Sequence, residues 1–116
     1  MGLRFASIVV LAMLSTPTWA APISAADAAG MVGQTVTVNA TVSEVKHFAK
    51  SGITLLDLDG RYPQQALTLF ISGADADKFA DAQNLEGATV EASGIVSEYQ
   101  GRPEIALSDP TQFLRK

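Results

Sequence analysis

GQTVTVNATVSEV, residues 33–45, returns as GATVEASGIVSEY at residues 87–99, and this repetition decides how the chain folds. Aligned, Gly33 falls on Gly87, Thr35 on Thr89, Val36 on Val90, Val42 on Val96, Ser43 on Ser97 and Glu44 on Glu98. Both copies alternate apolar and polar residues, the period of a strand with one dry face. Both carry a small residue midway, Ala40 and Gly94, where a long strand can bend sharply because little or no side chain blocks a close approach. Two long, bendable strands of one design predict a small closed barrel in which each strand passes from one sheet to another.

Working outward, Ser24 can cap a short helix over Ala25–Met31, ended by Gly30 and Gly33. The first strand is expected from Thr35 to about Val45, with Val36, Val38, Ala40 and Val42 on its inner face. KHFAKSG (46–52) reads as a loop turning on Gly52, and Ile53–Leu58 as a second strand. Asp59-Gly60-Arg61-Tyr62-Pro63 is a turn, since Asp-Gly favours positive backbone angles and Pro63 cannot donate to a ladder. Leu67–Ile71 is a third strand. From Ser72 to Leu85 the period changes: Ala76, Phe79, Ala80 and Ala82 fit one face of a short amphipathic helix, with Asp75, Lys78 and Asp81 outside. Thr89–Tyr99 is the fourth strand. A tight turn at Gln100-Gly101-Arg102-Pro103 leads to a fifth strand over Glu104–Leu107. Asp109-Pro110 ends it, and Phe113 and Leu114 pack a short tail.

The resulting class is all-β with one short helix between strands three and four. The order β-β-β-α-β-β, with related long strands first and fourth, is that of a five-stranded OB-fold barrel, in which those two strands pair.

At the other extreme of the chain, the first twenty residues read as a secretory leader. Arg4 supplies a positive start, Phe5–Leu14 an apolar run broken only by Ser7, and Thr18 and Ala20 the small residues before a cleavage point. The apolar run is shorter than the ~20 residues a spanning helix needs. The expected division is therefore a signal peptide at 1–20 and one OB-fold domain at 21–116, periplasmic or secreted, with no membrane insertion once the leader is removed. The chain has no cysteine, which excludes disulfides, thiol chemistry and a cysteine-linked lipid. The net charge is -4, and losing Arg4, the only charge in the leader, makes the domain one unit more acidic. Such a balance disfavours indiscriminate polyanion binding.

Three stretches give the chain a family likeness: VGQTVTVNATV (32–42), DGRYP (59–63) and LEGATVEASGIVSEYQGRPEIALSDPTQF (85–113). In these the chain resembles OB-fold domains of the tRNA-anticodon-binding type. It is similar above all to small exported modules of that fold found alone or beside thermonuclease-like domains. The most specific piece is YQGRPEIALSDPTQ (99–112), where a glycine turn, an arginine, a proline-led strand and a closing Asp-Pro fall in family order. What the resemblance implies is binding of single-stranded DNA or RNA, or of an oligonucleotide-like anion. The face of strands two and three, between the first and last loops, would hold it. The runner-up reading is an envelope protein-interaction or small-ligand module that kept the barrel without nucleic-acid binding, and a third is an accessory subunit that borrows the chemistry of a separate nuclease.

The residues assigned to the ligand are Lys46, His47, Phe48, Lys50, Arg61, Tyr62 and Arg102. Single-strand binders combine a basic groove with aromatic stacking platforms. Lys46, Lys50, Arg61 and Arg102 would meet phosphates, and Phe48 and Tyr62 would stack on bases. Three have a plainer alternative: Phe48 as a ring folded over the barrel end, Tyr62 as part of a rigid turn with Pro63, and His47 as an exposed loop histidine. A lone histidine builds no histidine-based metal site. There is no phosphate-cradling glycine loop, nucleophile motif or ligand cluster, so neither a cofactor nor an enzymatic activity is expected. Asp57 and Asp59 are the nearest thing to an acid-base pair, and nothing around them in the sequence encloses a site.

Overall fold

Val36, Val38, Ala40 and Val42 are all buried, as alternation requires of a strand with one dry side. The structure, a computed structural model, describes residues 21–116, so the leader expected at 1–20 lies outside the described residues. Those residues form strands β1 (Thr35–His47), β2 (Thr54–Leu58), β3 (Leu67–Ile71), β4 (Thr89–Tyr99), β5 (Arg102–Leu107) and β6 (Phe113–Arg115). A five-residue helix, α1 (Ala25–Ala29), precedes them, with the Ser24 hydroxyl accepting from the Asp27 amide at 3.0 Å. The sheet runs β1-β2-β3-β5-β4-β6 and closes on itself because β1 also pairs with β4. The interior is filled by Leu56, Leu58, Leu67, Leu69, Ile71, Ile105, Leu107 and the inward valines. This is the expected OB-fold barrel.

The repeated strands are neighbours, and they pair reciprocally. Val36 lies opposite Gly94 and Ala40 opposite Val90, while Val38 faces Ala92, its own counterpart in the repeat. Each strand changes partner at the equivalent place. β1 leaves β4 after Thr41 and joins β2 from Val42, and β4 leaves β1 after Ile95 and joins β5 from Val96. Gly94 lies beside that switch as expected. A Cβ built there would stand 2.7 Å from Ile105 Cγ2 and 3.1 Å from Gln112 Nε2, so only glycine fits without displacement.

Three local expectations are corrected. The stretch after β3 forms 3-10 helices, Gly73–Phe79 and Ala82–Asn84, rather than an amphipathic α-helix. Its buried residues explain why: Phe79, Ala82 and Leu85 recur every third position, the 3-10 repeat. The C-terminal tail is a strand, β6, which pairs with Val90–Ala92 of β4. Finally, β1 and β5 are longer than the sequence suggests, so Lys46, His47 and Arg102 sit on strands rather than in loops.

Candidate binding face

A bulge in β1 decides which side chains reach the outer face of the barrel. Alternation carried on from Val42 would turn Glu44 and Lys46 inward and His47 outward. The β1–β2 register slips between Val42 and Glu44, and Val45 then pairs with the buried Leu56. One extra residue flips every later side chain to the other face. Glu44 and Lys46 therefore stand on the outer face. His47 points to the core side, beside Thr54, whose Oγ1 is 3.0 Å from its Nδ1. There His47 borders a cleft of about 370 Å³ at the barrel end, with Ile71, Asp77, Phe79 and Gln83.

On the outer face, Glu44, Asp57, Thr68, Glu104 and Ser97 form one cross-strand row over β1, β2, β3, β5 and β4. Asp57 is buried at the centre of that row, its side chain 1% exposed. Its Oδ1 accepts from Thr68 Oγ1 at 3.2 Å. Lys46 Nζ is 3.3 Å from Oδ2, within ion-pair range but off the angle of a hydrogen bond, so Oδ2 has no aligned donor. Burial pushes the Asp57 carboxyl above the usual aspartate range, and the charge of Lys46 only partly offsets this. Burial likewise raises Glu104.

The loop between β2 and β3 folds over this row. Tyr62 is the centre of its contacts: Lys46 Nζ lies 4.3 Å from the ring centroid and Arg102 Cζ 4.6 Å. The two cations come from β1 and β5, on either side of the β2–β3 pair. Both are within cation–π range. Arg102 also donates to the Pro63 carbonyl at 3.1 Å, and the Tyr62 amide donates to Glu44 Oε1 at 3.3 Å. Arg61 is tied down too, by the Ser43 carbonyl, by Glu44 Oε2 at 3.4 Å and by Glu86 Oε2 at 3.9 Å.

Lys46, Tyr62 and Arg102 are thus brought together, with Arg61 alongside on carboxylates. Phe48 and Lys50 are not part of that group. They occupy the β1–β2 turn at the opposite end of β2, where the Phe48 amide and carbonyl close the turn on Ile53 and Gly52. The Phe48 ring is 47% exposed, and Lys50 makes no ion pair among the described residues. His47 belongs to the barrel end and not to this face. Sequence reasoning missed Tyr99, which pairs with Arg102 across the β4–β5 turn and is 63% exposed. It also passed over the buried state of Asp57. Counting alternation on both sides of the β4–β5 turn would have put Tyr99 beside Arg102. Only the bulge reveals that Lys46 covers Asp57.

The face therefore carries an aromatic–cation run, Tyr99–Arg102–Tyr62–Lys46, above a polar row that includes the Glu44, Asp57 and Glu104 carboxylates. Such a surface can stack on flat rings and hold anions at its cations, while the carboxylates below accept from N–H donors.

No family model matches the chain, and no curated protein does. Solved structures do. An aspartyl-tRNA synthetase from Entamoeba histolytica is similar over 87% of this chain and 23% of its own length, at 16% identity and a TM-score of 0.56. A Leishmania major Friedlin protein described as an aspartyl-tRNA synthetase matches over 92% of this chain and 22% of its own, at 13% identity and 0.61. The OBody AM1L10, bound to hen egg-white lysozyme, matches over 86% of this chain and 98% of its own, at 16% identity and 0.62. The chain spans less than a quarter of the length of either synthetase. At these identities the likeness is one of architecture, and it is to the OB-fold that the chain's pairing, register and neighbours all point.

Proposed function

We propose that this chain is an exported, non-enzymatic OB-fold binding protein that takes single-stranded nucleic acid, or an oligonucleotide-like anion, on its β1–β2–β3–β5 face. The observation that carries the reading is the Tyr99–Arg102–Tyr62–Lys46 run across that face, with Phe48 and Lys50 exposed at its far end. Aromatic rings alternating with cations suit a chain of bases joined by phosphates. The likeness to two synthetases that act on tRNA agrees with it. Export rests on the leader-like residues 1–20, and intact-mass analysis of exported protein tests it: a soluble product retaining those residues overturns that part.

A second reading has its own observation. Glu44, Asp57 and Glu86 already pair with Lys46 and Arg61, which leaves few free cations for phosphates. A face so balanced suits an envelope protein or a small ligand, and the OBody shows a barrel of this fold bound to a protein.

Fluorescence anisotropy with short single-stranded DNA and RNA separates the two. The expected result is weak binding that falls as salt rises, with a slope of about -0.7 per phosphate contact. Phe48→Ala should weaken it by about 1–3 kcal/mol, the value of a base stacked on a ring. Absence of binding at low salt, where attraction is strongest, removes the nucleic-acid reading in favour of the interaction module.

A further inference from the structure

The β2–β3 loop covers the face on which a ligand would sit. The loop backbone and Arg61 are tied to β1 and β5 by hydrogen bonds and ion pairs, and the Tyr62 ring itself is held by two cations: Lys46 at 4.3 Å and Arg102 at 4.6 Å from its centroid. Lys46 is fixed from beneath by the buried Asp57. The cations a phosphate would need, and the ring a base would need, are thus engaged with one another. We propose that this loop is a latch on the binding face: an anionic group draws Lys46 and Arg102 off Tyr62, freeing the ring to stack, and Asp57 takes up a proton from solvent as its counter-charge leaves. The inference rests on the nucleic-acid reading for its ligand, and on the geometry alone for the latch.

The coupling between latch and proton is electrostatic. A carboxylate with 1% of its side chain exposed and one unaligned oxygen depends on its lysine to stay ionised. Moving Lys46 to a phosphate strands that charge, and protonation relieves it. Binding and proton uptake are then linked, and affinity rises as pH falls. The ionisable and charged groups around Asp57 are few. β1 supplies Glu44 and Lys46, the covering loop supplies Arg61 and Tyr62, and β5 supplies Glu104 and Arg102. β3 contributes the uncharged Thr68. Glu44 is engaged by Arg61 and the Tyr62 amide. Glu104 is the one other carboxylate on the face held high by burial, so the test must separate it from Asp57.

Two measurements on the full-chain protein do so. The first needs no ligand: NMR of the Lys46 side chain, whose signals the Tyr62 ring displaces. That displacement should shrink as Asp57 is protonated on acidification, and Tyr62→Leu, a change on an exposed loop, should abolish it at every pH. A Lys46 displacement that stays constant while Asp57 titrates, or that survives Tyr62→Leu, overturns the latch. The second is anisotropy with oligothymidylate. Wild-type affinity should rise several-fold on acidification, and Asp57→Asn should bind at neutral pH as tightly as the wild type does in acid. A pH dependence that persists in Asp57→Asn, or that disappears only in Glu104→Gln, overturns the proton linkage. If oligothymidylate fails to bind while Lys46 responds as expected, the latch stands and the nucleic-acid ligand falls.

Discussion

β1 and β4 begin as the same strand and end as different ones. Over their shared half they obey one rule in both directions. The Gly33 amide donates to the Val96 carbonyl and the Gly87 amide to the Val42 carbonyl, each at 2.7 Å. The Val96 amide returns to the Gln34 carbonyl and the Val42 amide to that of Ala88. Gly33 and Gly87 sit at φ 91° and 87°. The symmetry reaches further back than the sequence match: Met31 bonds to Ala28 as Leu85 bonds to Ala82. Past the switch the copies part. β1 bulges, turning Lys46 out and His47 in, whereas β4 runs on without a bulge to Tyr99 and a two-residue turn. Repetition thus builds the seam of the barrel, and departure from repetition builds the face.

The largest effect is expected from giving Gly94 a branched side chain, where its counterpart Ala40 carries only a methyl group. Gly94→Val should cost up to about 3 kcal/mol, because the added carbons must enter the space of the fully buried Ile105. Thermal or urea unfolding measures it, and an unchanged midpoint would mean that the close approach has no structural weight. A subtler test asks whether the seam is symmetric in energy as well as geometry. Gly33→Ala and Gly87→Ala each force a side chain into the left-handed region with no neighbour within 4 Å. Each should cost roughly 1–2 kcal/mol, and the two values should agree. A clear inequality would show that the paired halves share a shape without sharing a load.

The smallest effect concerns the divergent half. Burial raises the Asp57 carboxyl in the folded protein, so the folded state binds that proton more tightly than the unfolded chain does. The stability this gives is fully present below the ordinary aspartate range and is lost as pH rises through the raised folded value. Asp57→Asn should therefore melt slightly higher than the wild type at neutral pH, with the gap closing in acid. Asp75 and Asp109 run the other way. The Lys78 ammonium and the Ser72 hydroxyl lower the first, and the Thr111 amide and hydroxyl lower the second. What they contribute is lost as pH falls. If the melting gap for Asp57→Asn widened in acid instead, the buried carboxylate would have to be stabilising.

The barrel was legible from its ends of the scale: alternation gave the inward valines, the repeat gave the β1–β4 pairing, and Gly94 gave the bend. The 3-10 segment was not, because Ala76, Phe79, Ala80 and Ala82 satisfy a 3.6-residue period nearly as well as a period of three. β6 escaped because three residues are too few to show alternation. At the face, residue types pointed to Lys46, Tyr62 and Arg102, and the structure brings these three together. Their engagement with each other was hidden, since it depends on where a loop returns. Which face His47 takes was hidden for a sharper reason: a bulge of one residue leaves no mark in composition, yet it inverts everything after it.

The seam also has a consequence in time. β1–β2, β2–β3 and β4–β5 each join strands that follow one another in sequence, so short turns hold their ends close. The seam instead joins Val38 to Ala92, with most of the domain between them. Drawing in so long a segment costs chain entropy before any pairing energy returns, and contacts of that kind slow folding. On that ground the hairpins are expected to form ahead of the seam, which makes closure of the repeated strands a late event in folding.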